Sequence, residues 1–279
     1  MSEYVDGQFD CSGIFDSHAH YFDKRFESEH PGGADDILGT VLSENGEVGG
    51  IINVGTNIEN SVLAVQQALR YNKMYAAVGI HPEDCLLLRD MDSELAKLCG
   101  MLDAAKEKKI VAIGEIGLDY HCCGDSLPDR KKQLLYFEAQ MEIADKYGMP
   151  VIIHDREAHG DCFDTVSKYK NVHGVFHSYS GSAEMAVQLC RRGWYISFSG
   201  TVTFKNAPKV REAVAAVPSD RILIETDAPY LAPHPYRGKL NHSGLIVNTA
   251  NAIADILHTD VDNVIGMTYS NTFSCFNLL

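Results

Sequence analysis

The sequence lacks the features of a membrane protein and of a protein that coats duplex DNA. No uninterrupted apolar run reaches the roughly 18–20 residues that a membrane-spanning helix needs. Only 24 lysines and arginines stand against 38 aspartates and glutamates, a formal net charge of -14. This acidity argues against a broad basic face for DNA. It still permits an enzyme that holds one phosphate at a metal centre, since bound cations can be the largest local charges there.

Disulfide and targeting signals are also missing. The eight cysteines include no C-x-x-C pair and no disulfide framework, so we expect free thiols in a reducing compartment. The segment from Met1 to Cys11 is polar and acidic, unlike a secretory signal. We therefore expect a cytoplasmic protein, with a nuclear location also open, that is monomeric and has no membrane partner.

The sequence motifs of two common classes of enzyme are absent. The sequence contains neither the G-x-S-x-G turn of serine hydrolases nor a G-x-x-x-x-G-K-[ST] phosphate loop. Short β-branched or aromatic runs instead alternate with helical patterns such as Ile58–Tyr71 and Arg130–Tyr147. Such alternation indicates parallel βα units. Eight strands are predicted, at Ile14–His20, Gly50–Thr56, Tyr75–His81, Ile110–Leu118, Pro150–His154, Gly174–His177, Trp194–Ser199 and Ile222–Asp227.

Eight βα units in a chain of 279 residues predict an α/β protein with the (β/α)₈ TIM-barrel fold. The alternative, an open doubly wound sheet, is less favoured because no glycine-rich phosphate loop follows the first strand. We predict a single domain over residues 1–279, with residues 1–12 as an N-terminal arm. The stretch from Tyr21 to Gly33 is predicted as a long charged loop. Two helices, Ile246–Leu257 and Val261–Phe276, are predicted to close the barrel.

Metal-ligating residue types recur at the predicted strand ends. His18 and His20 are two residues apart, so on a strand they face the same side, and neutral imidazoles are good ligands for transition-metal cations. Alone this pair is a weak signal. In a TIM barrel, however, the carboxyl ends of all the strands meet at one rim. Four imidazoles and two carboxylates are predicted to converge there, namely His18, His20, His154, His177, Glu115 and Asp227.

Read in order, these strand ends resemble a known family. The motifs are H-x-H at 18–20, G-E-I-G-L-D-Y at 114–120, I-I-H-x-R at 152–156, H-S-Y-S-G at 177–181 and E-T-D-A-P-Y-L at 225–231. Together they are similar to those of the TatD-like metal-dependent deoxyribonucleases, which have amidohydrolase-type barrels. The likeness covers nearly the whole chain from Gly13.

The resemblance implies a centre of two divalent cations, drawn from Mg, Mn, Zn and Co. His18, His20 and Asp227 would hold one cation, His154 and His177 the other, and Glu115 would bridge them. It implies a metal-dependent hydrolase of phosphodiester bonds, a deoxyribonuclease that trims strand ends or single strands of DNA or oligonucleotides. Glu115 and Asp227 would be catalytic, with Asp227 orienting the attacking water or accepting its proton.

The resemblance also implies phosphate contacts from His81, Arg156, Arg237 and Lys239, although Arg237 and Lys239 could equally form salt bridges at the rim. Where the family commonly has a second basic residue and an Asn-x-Pro turn, this chain has Leu240-Asn241-His242-Ser243. This departure from the family pattern affects the expected affinity for nucleic acid and the range of substrates. After Tyr120 come His121-Cys122-Cys123, which could touch a soft metal, although free thiols are the simpler interpretation.

Two other functions stay open at this point. The same centre could serve a hydrolase of another bond, such as an amidase, a lactonase or an aminoacyl-tRNA deacylase, since fold and ligands do not determine the substrate. A non-catalytic barrel with a structural metal is the second. Structural zinc sites are usually closed by four ligands, so six candidate ligands at an open rim argue against it.

Overall fold

A computed structural model describes residues 13–278 of the chain. Within that range the strands form one parallel sheet of eight, each hydrogen-bonded to the next in sequence order. The predicted (β/α)₈ TIM-barrel fold is confirmed, while the predicted N-terminal arm lies outside the described residues. The strands are β1 Ile14–Ala19, β2 Val48–Val54, β3 Met74–Val78, β4 Ile110–Asp119, β5 Val151–Arg156, β6 Gly174–Phe176, β7 Tyr195–Phe198 and β8 Ile222–Ile224.

Helices connect the strands and close the barrel. Across residues 13–278, none is long and apolar enough to cross a membrane. The α-helices are α1 Lys24–Glu29, α2 Gly33–Val41, α3 Ile58–Arg70, α4 Pro82–Cys85, α5 Met91–Leu102, α6 Tyr120–Cys123, α7 Leu127–Tyr147, α8 His159–Val166, α9 Ala183–Cys190, α10 Pro208–Ala216, α11 Ile246–Leu257 and α12 Val261–Phe276.

The ring of strands closes where β8 meets β1. Just beyond β8, the backbone N–H of Asp227 donates to the carbonyl of His18 at 2.9 Å, and that of His20 donates to the carbonyl of Ala228 at 2.7 Å. These bonds join the first and last strand ends directly. As a consequence, two stretches of chain about 210 residues apart in sequence meet at the rim that carries the predicted ligands.

Helix α12 seals the opposite end of the barrel. Phe15 of β1 is 1% exposed, and its ring meets that of Phe273 at 5.9 Å between centroids, with the planes perpendicular. Inward-facing apolar residues of the other strands pack in the same cluster. The barrel interior is therefore filled below the rim, and polar chemistry is confined to the carboxyl ends of the strands.

The structure differs from the sequence prediction in two places. Several predicted strands run too far: the last was expected to reach Asp227, but its regular strand pairing ends at Ile224. The segment from Tyr21 to Gly33, predicted as a loop, contains α1. The Asp23 side chain caps this helix by accepting from the Arg25 N–H at 2.7 Å, and Phe26 stacks on Tyr21. A helix of six residues is too short to show a periodic pattern of apolar residues, so α1 was not predicted.

Candidate metal centre

Glu115 lies at the centre of the rim cluster. It is 3% exposed, and its two carboxylate oxygens face different histidine pairs. Oε1 lies 2.6 Å from Nε2 of His177 and 2.5 Å from Nδ1 of His154. Oε2 lies 3.4 Å from Nε2 of His18 and 3.7 Å from Nε2 of His20. One carboxylate therefore stands between two separate groups of nitrogen ligands.

Asp227 completes the group on the Oε2 side. Its Oδ1 lies 3.4 Å from Nε2 of His20 and 3.7 Å from Nε2 of His18. The two histidine nitrogens are 3.0 Å apart, and Nδ1 of His154 and Nε2 of His177 are 3.2 Å apart. Two nitrogen ligands of one cation, with bonds of about 2.1 Å, stand roughly 3.0–3.4 Å apart. The donor types and spacings therefore fit metal ligation.

The outward-facing ring nitrogens of three histidines are anchored by hydrogen bonds. Nδ1 of His20 donates to the carbonyl of Val54 at 2.6 Å. Nε2 of His154 lies 3.2 Å from Oδ2 of Asp119, and Nδ1 of His177 lies 3.2 Å from Oε1 of Glu225. Such contacts fix the orientation and tautomer of a metal-ligating histidine. In each of these three rings, the nitrogen that does not make the anchoring contact faces Glu115 or Asp227.

Asp119 and Glu225 contact histidines of the cluster but are not among the site residues predicted from the sequence. Both stand in the motifs quoted above, G-L-D-Y and E-T-D, so a signal was present. Spacing along the chain does not reveal which carboxylate of a motif faces the centre of the cluster and which contacts the outward-facing nitrogen of a histidine. Only the positions of the rings, set by closure of the barrel, distinguish the two roles.

A third missed carboxylate, Asp16, supports the backbone next to Asp227. Its Oδ1 accepts the N–H of Thr226 at 2.9 Å, and its Oδ2 accepts the hydroxyls of Thr226 and Ser243, each at 2.6 Å. Asp227 follows with φ of 58°, a left-handed conformation that is uncommon for a residue other than glycine. Such conformations persist where the surroundings enforce them, often at functional sites. Asp16 supplies that enforcement.

Glu115 and the histidines on its Oε1 side hold one another in charged forms. Burial raises the pKa of Glu115, but the imidazolium groups, His177 foremost, outweigh this and hold the pKa well below its usual range. Burial lowers the pKa of His154, but the charge of Glu115 outweighs it and raises the pKa to about 9. Without a cation, a proton thus occupies Nδ1 of His154, the nitrogen that faces Glu115. A bound cation would have to displace it.

A cavity of about 430 Å³ opens above the cluster. Among its described lining residues are six carboxylates and one arginine, Arg156. The Arg156 guanidinium lies 3.9 Å from Asp119, and Nε2 of His81 lies 3.6 Å from Oε1 of Glu115. Burial lowers the pKa of His81 to about 3, so its ring is neutral. The cavity is acidic, and an anion would enter it unfavourably without added positive charge.

The other two predicted substrate contacts lie elsewhere. The guanidinium of Arg237 sits 4.6 Å from the centre of the Phe204 ring. Lys239 lines a neighbouring cavity of about 510 Å³, together with His30 and His242. Neither lines the cavity over the histidine cluster. The structure thus brings His81 and Arg156 to the cluster but not Arg237 and Lys239.

Buried histidines and carboxylates at the carboxyl rim of an eight-stranded barrel place the chain in the class of metal-dependent hydrolases, and comparison with known proteins supports this. The chain is 34% identical over 269 residues to YabD of Bacillus subtilis, an uncharacterized metal-dependent hydrolase, covering 95% of this chain and 99% of that protein. It is 31% identical over 267 residues to YcfH of Escherichia coli K12, described in the same words, covering 95% and 96%.

Solved structures agree. The crystal structure of YjjV, a TatD homologue from Escherichia coli K12, aligns with a TM-score of 0.84 at 28% identity, covering 96% of this chain and 99% of that one. A TatD-family hydrolase from Entamoeba histolytica shares the fold with a TM-score of 0.81 at 22% identity, covering 95% and 98%. The family described as TatD related DNase matches residues 15–277. The chain belongs to the TatD family, and the resemblance in its motifs is confirmed.

Proposed function

We propose that this protein hydrolyses phosphodiester bonds with two divalent cations, acting as a deoxyribonuclease on strand ends or single strands. The observation that carries the proposal is the position of Glu115 between the two nitrogen groups. His18, His20 and Asp227 would hold one cation, and His154 and His177 the other, with Glu115 shared. A pair of cations about 3.5–4 Å apart stabilises the attacking and leaving oxygens of a phosphodiester and makes a bound water more acidic.

Asp227 is the residue we propose as proton acceptor. Its side chain is 14% exposed and faces the cavity, whereas that of Glu115 is 4% exposed. Burial raises the pKa of Asp227, but the hydrogen bond to His20 and the nearby histidine charges outweigh this and lower it. The carboxylate is therefore ionised at neutral pH, and one of its oxygens can orient the attacking water and take its proton.

The cavity suits a nucleotide at a chain end. Its volume of about 430 Å³ lies in the range of small-molecule sites, about 300–1,000 Å³. We propose that His81 and Arg156 contact the phosphate oxygens, with Arg156 able to offer two parallel hydrogen bonds. Because the walls are acidic, the phosphate should bind only after the cations have entered. Arg237 and Lys239 stay proposed contacts, for parts of a strand outside the cavity.

The acidic lining also favours one alternative, a hydrolase of amide, lactone or aminoacyl-tRNA ester bonds at the same centre. Such substrates carry less charge at the reacting group than a phosphodiester does. Arg156→Gln separates the two: a phosphodiesterase should lose turnover, and an amidase or lactonase should tolerate the change better. Arg191→Gln, on the exposed surface, is the matched control.

The direct test is digestion of an end-labelled single-stranded oligonucleotide by chelated protein, before and after adding Mg, Mn, Zn or Co. Hydrolysis should vanish with chelator and return with cation. Asp227→Asn should keep the fold and lower turnover by about 10²–10⁴-fold, while Asp262→Asn, exposed on α12, should behave as wild type. Absence of hydrolysis with every cation, or normal turnover in Asp227→Asn, would reject the proposal. Monomeric state and cytoplasmic location stay predictions.

A further inference from the structure

A second group of metal-ligating side chains lies beside the histidine cluster, and of its members only Asp119 has a part in the proposed mechanism. Glu83, Asp119 and Cys122 each offer a ligand atom, and these atoms lie within 4.8 Å of one another. The sulfur of Cys122 is also 3.9 Å from that of Cys123. Two thiolates on one tetrahedral zinc ion, with bonds of about 2.3 Å, lie roughly 3.8 Å apart. The vicinal thiols therefore have the spacing of two ligands of one ion.

We propose that Cys122, Cys123, Asp119 and Glu83 form a binding site for a thiophilic divalent cation such as Zn²⁺ or Cd²⁺, next to the histidine cluster and in contact with it through Asp119. Thiolate ligands select soft cations over Mg²⁺ and Mn²⁺, which prefer oxygen. Glu83, Asp119 and Cys122 are three ligands whose atoms already lie within 4.8 Å of one another. The sulfur of Cys123, 3.9 Å from that of Cys122, is proposed as the fourth ligand of a tetrahedral ion. On binding, the two thiols release their protons to solvent.

Local structure holds this group together. Strand β4 ends at Asp119, and the single turn of α6 follows, with the Cys122 N–H donating to Oδ1 of Asp119 at 2.8 Å. Gln133, buried on α7, accepts the N–H of Asp119 at 2.9 Å and donates to the Cys122 sulfur at 3.3 Å. Cys122 is exposed, and Glu83 and Asp119 line the cavity over the histidine cluster. A cation can therefore reach the group from solvent.

Asp119 links the two sites. Its Oδ2 lies 3.2 Å from Nε2 of His154, a contact that orients this proposed metal ligand. A cation that binds this oxygen would break the contact. Loss of such a supporting contact typically costs 10–100-fold in metal affinity or activity. We therefore expect occupancy of the thiol site to inhibit hydrolysis by about that factor. This consequence, unlike the binding itself, rests on the proposed function.

Cadmium titration of the reduced, chelated full-length protein tests the site through the ultraviolet charge-transfer band of cadmium thiolates. Wild type and Cys99→Ser should show a band that saturates at one ion per chain. Cys122→Ser should lose about half of it. The double variant C122S/C123S should lose all of it, while cadmium bound to histidines gives no such band. No band in wild type at excess cadmium, or an unchanged band in the double variant, would overturn the proposal.

The inhibitory effect has its own readout. Hydrolysis supported by Mg²⁺ should fall with added Cd²⁺ in wild type and Cys99→Ser, and C122S/C123S should resist it. Equal inhibition of wild type and the double variant would refute the coupling through Asp119. If neither wild type nor any variant hydrolyses an oligonucleotide, the proposed function is wrong. The cadmium band then still shows whether the thiol site binds a cation.

Discussion

Replacing Asp16 by asparagine should change how the stability of the protein depends on pH. Burial raises the pKa of Asp16 from 3.8 to about 6, against the opposing hydrogen bonds from Ser243 and Thr226. The folded protein thus holds this proton more tightly than the unfolded chain does. The resulting stability is fully present below a pH of about 4 and is lost as pH rises through about 6. At about 1.36 kcal/mol per pKa unit, the loss by neutral pH is about 3 kcal/mol.

Chemical denaturation in chelator, from about pH 4 to about pH 7.5, measures this contribution. Asparagine has nearly the same shape and can still accept the N–H of Thr226, and it does not titrate. The free energy of unfolding of Asp16→Asn should therefore rise relative to wild type by about 3 kcal/mol across that range. Asp262→Asn, at an exposed position, should show no such trend.

A difference between Asp16→Asn and wild type that stays constant with pH would refute the reasoning. It would mean that the hydrogen bonds to Asp16, from Thr226, Ser243 and the N–H of His18 at 3.3 Å, keep its carboxylate as acidic in the folded protein as in the unfolded chain. A trend of opposite sign would mean that those bonds outweigh burial.

Two further predictions concern cations. Asp119→Asn should weaken Mn²⁺ binding by about 10–100-fold, because an amide is a poorer partner for Nε2 of His154. Calorimetric titration measures this, Asp262→Asn is the control, and unchanged affinity would show that Asp119 does not support the site. Mn²⁺ at about 100 times its dissociation constant should raise the free energy of unfolding of the chelated protein by about 2.7 kcal/mol. A denaturation midpoint that does not change when Mn²⁺ is added would contradict the expectation that the folded protein binds Mn²⁺.

Much of the barrel could be predicted because its pattern is local. The helices Ile246–Leu257 and Val261–Phe276 have the predicted bounds, since each carries a periodic apolar face. Free thiols, expected from the cysteine spacing, are observed at all seven cysteines within residues 13–278. Ends of strands are harder to predict: the regular pairing of β8 ends at Ile224, and the left-handed backbone at Asp227 leaves no mark in the alternation of side chains.

The candidate site could be predicted only in part. Strand ends of a barrel share one rim, so the six proposed ligands could be grouped from sequence, and the structure places them together. Which carboxylate points inward depends on ring orientations and on the contact of β1 with β8, and for that reason Asp16, Asp119 and Glu225 were missed. The positions of Arg237 and Lys239 depend on the path of a loop that carries no periodic signal.

Counting Mn²⁺ ions per chain in wild type and in Glu115→Gln tests the central claim most directly, because Mn²⁺ avoids the thiol site. Glu115 is the only residue proposed to serve both nitrogen groups. Wild type should bind two ions, and Glu115→Gln should bind one or none at the same free concentration, while Asp262→Asn keeps two. A single ion in wild type, or two ions retained by Glu115→Gln, would contradict a paired centre organised around this carboxylate.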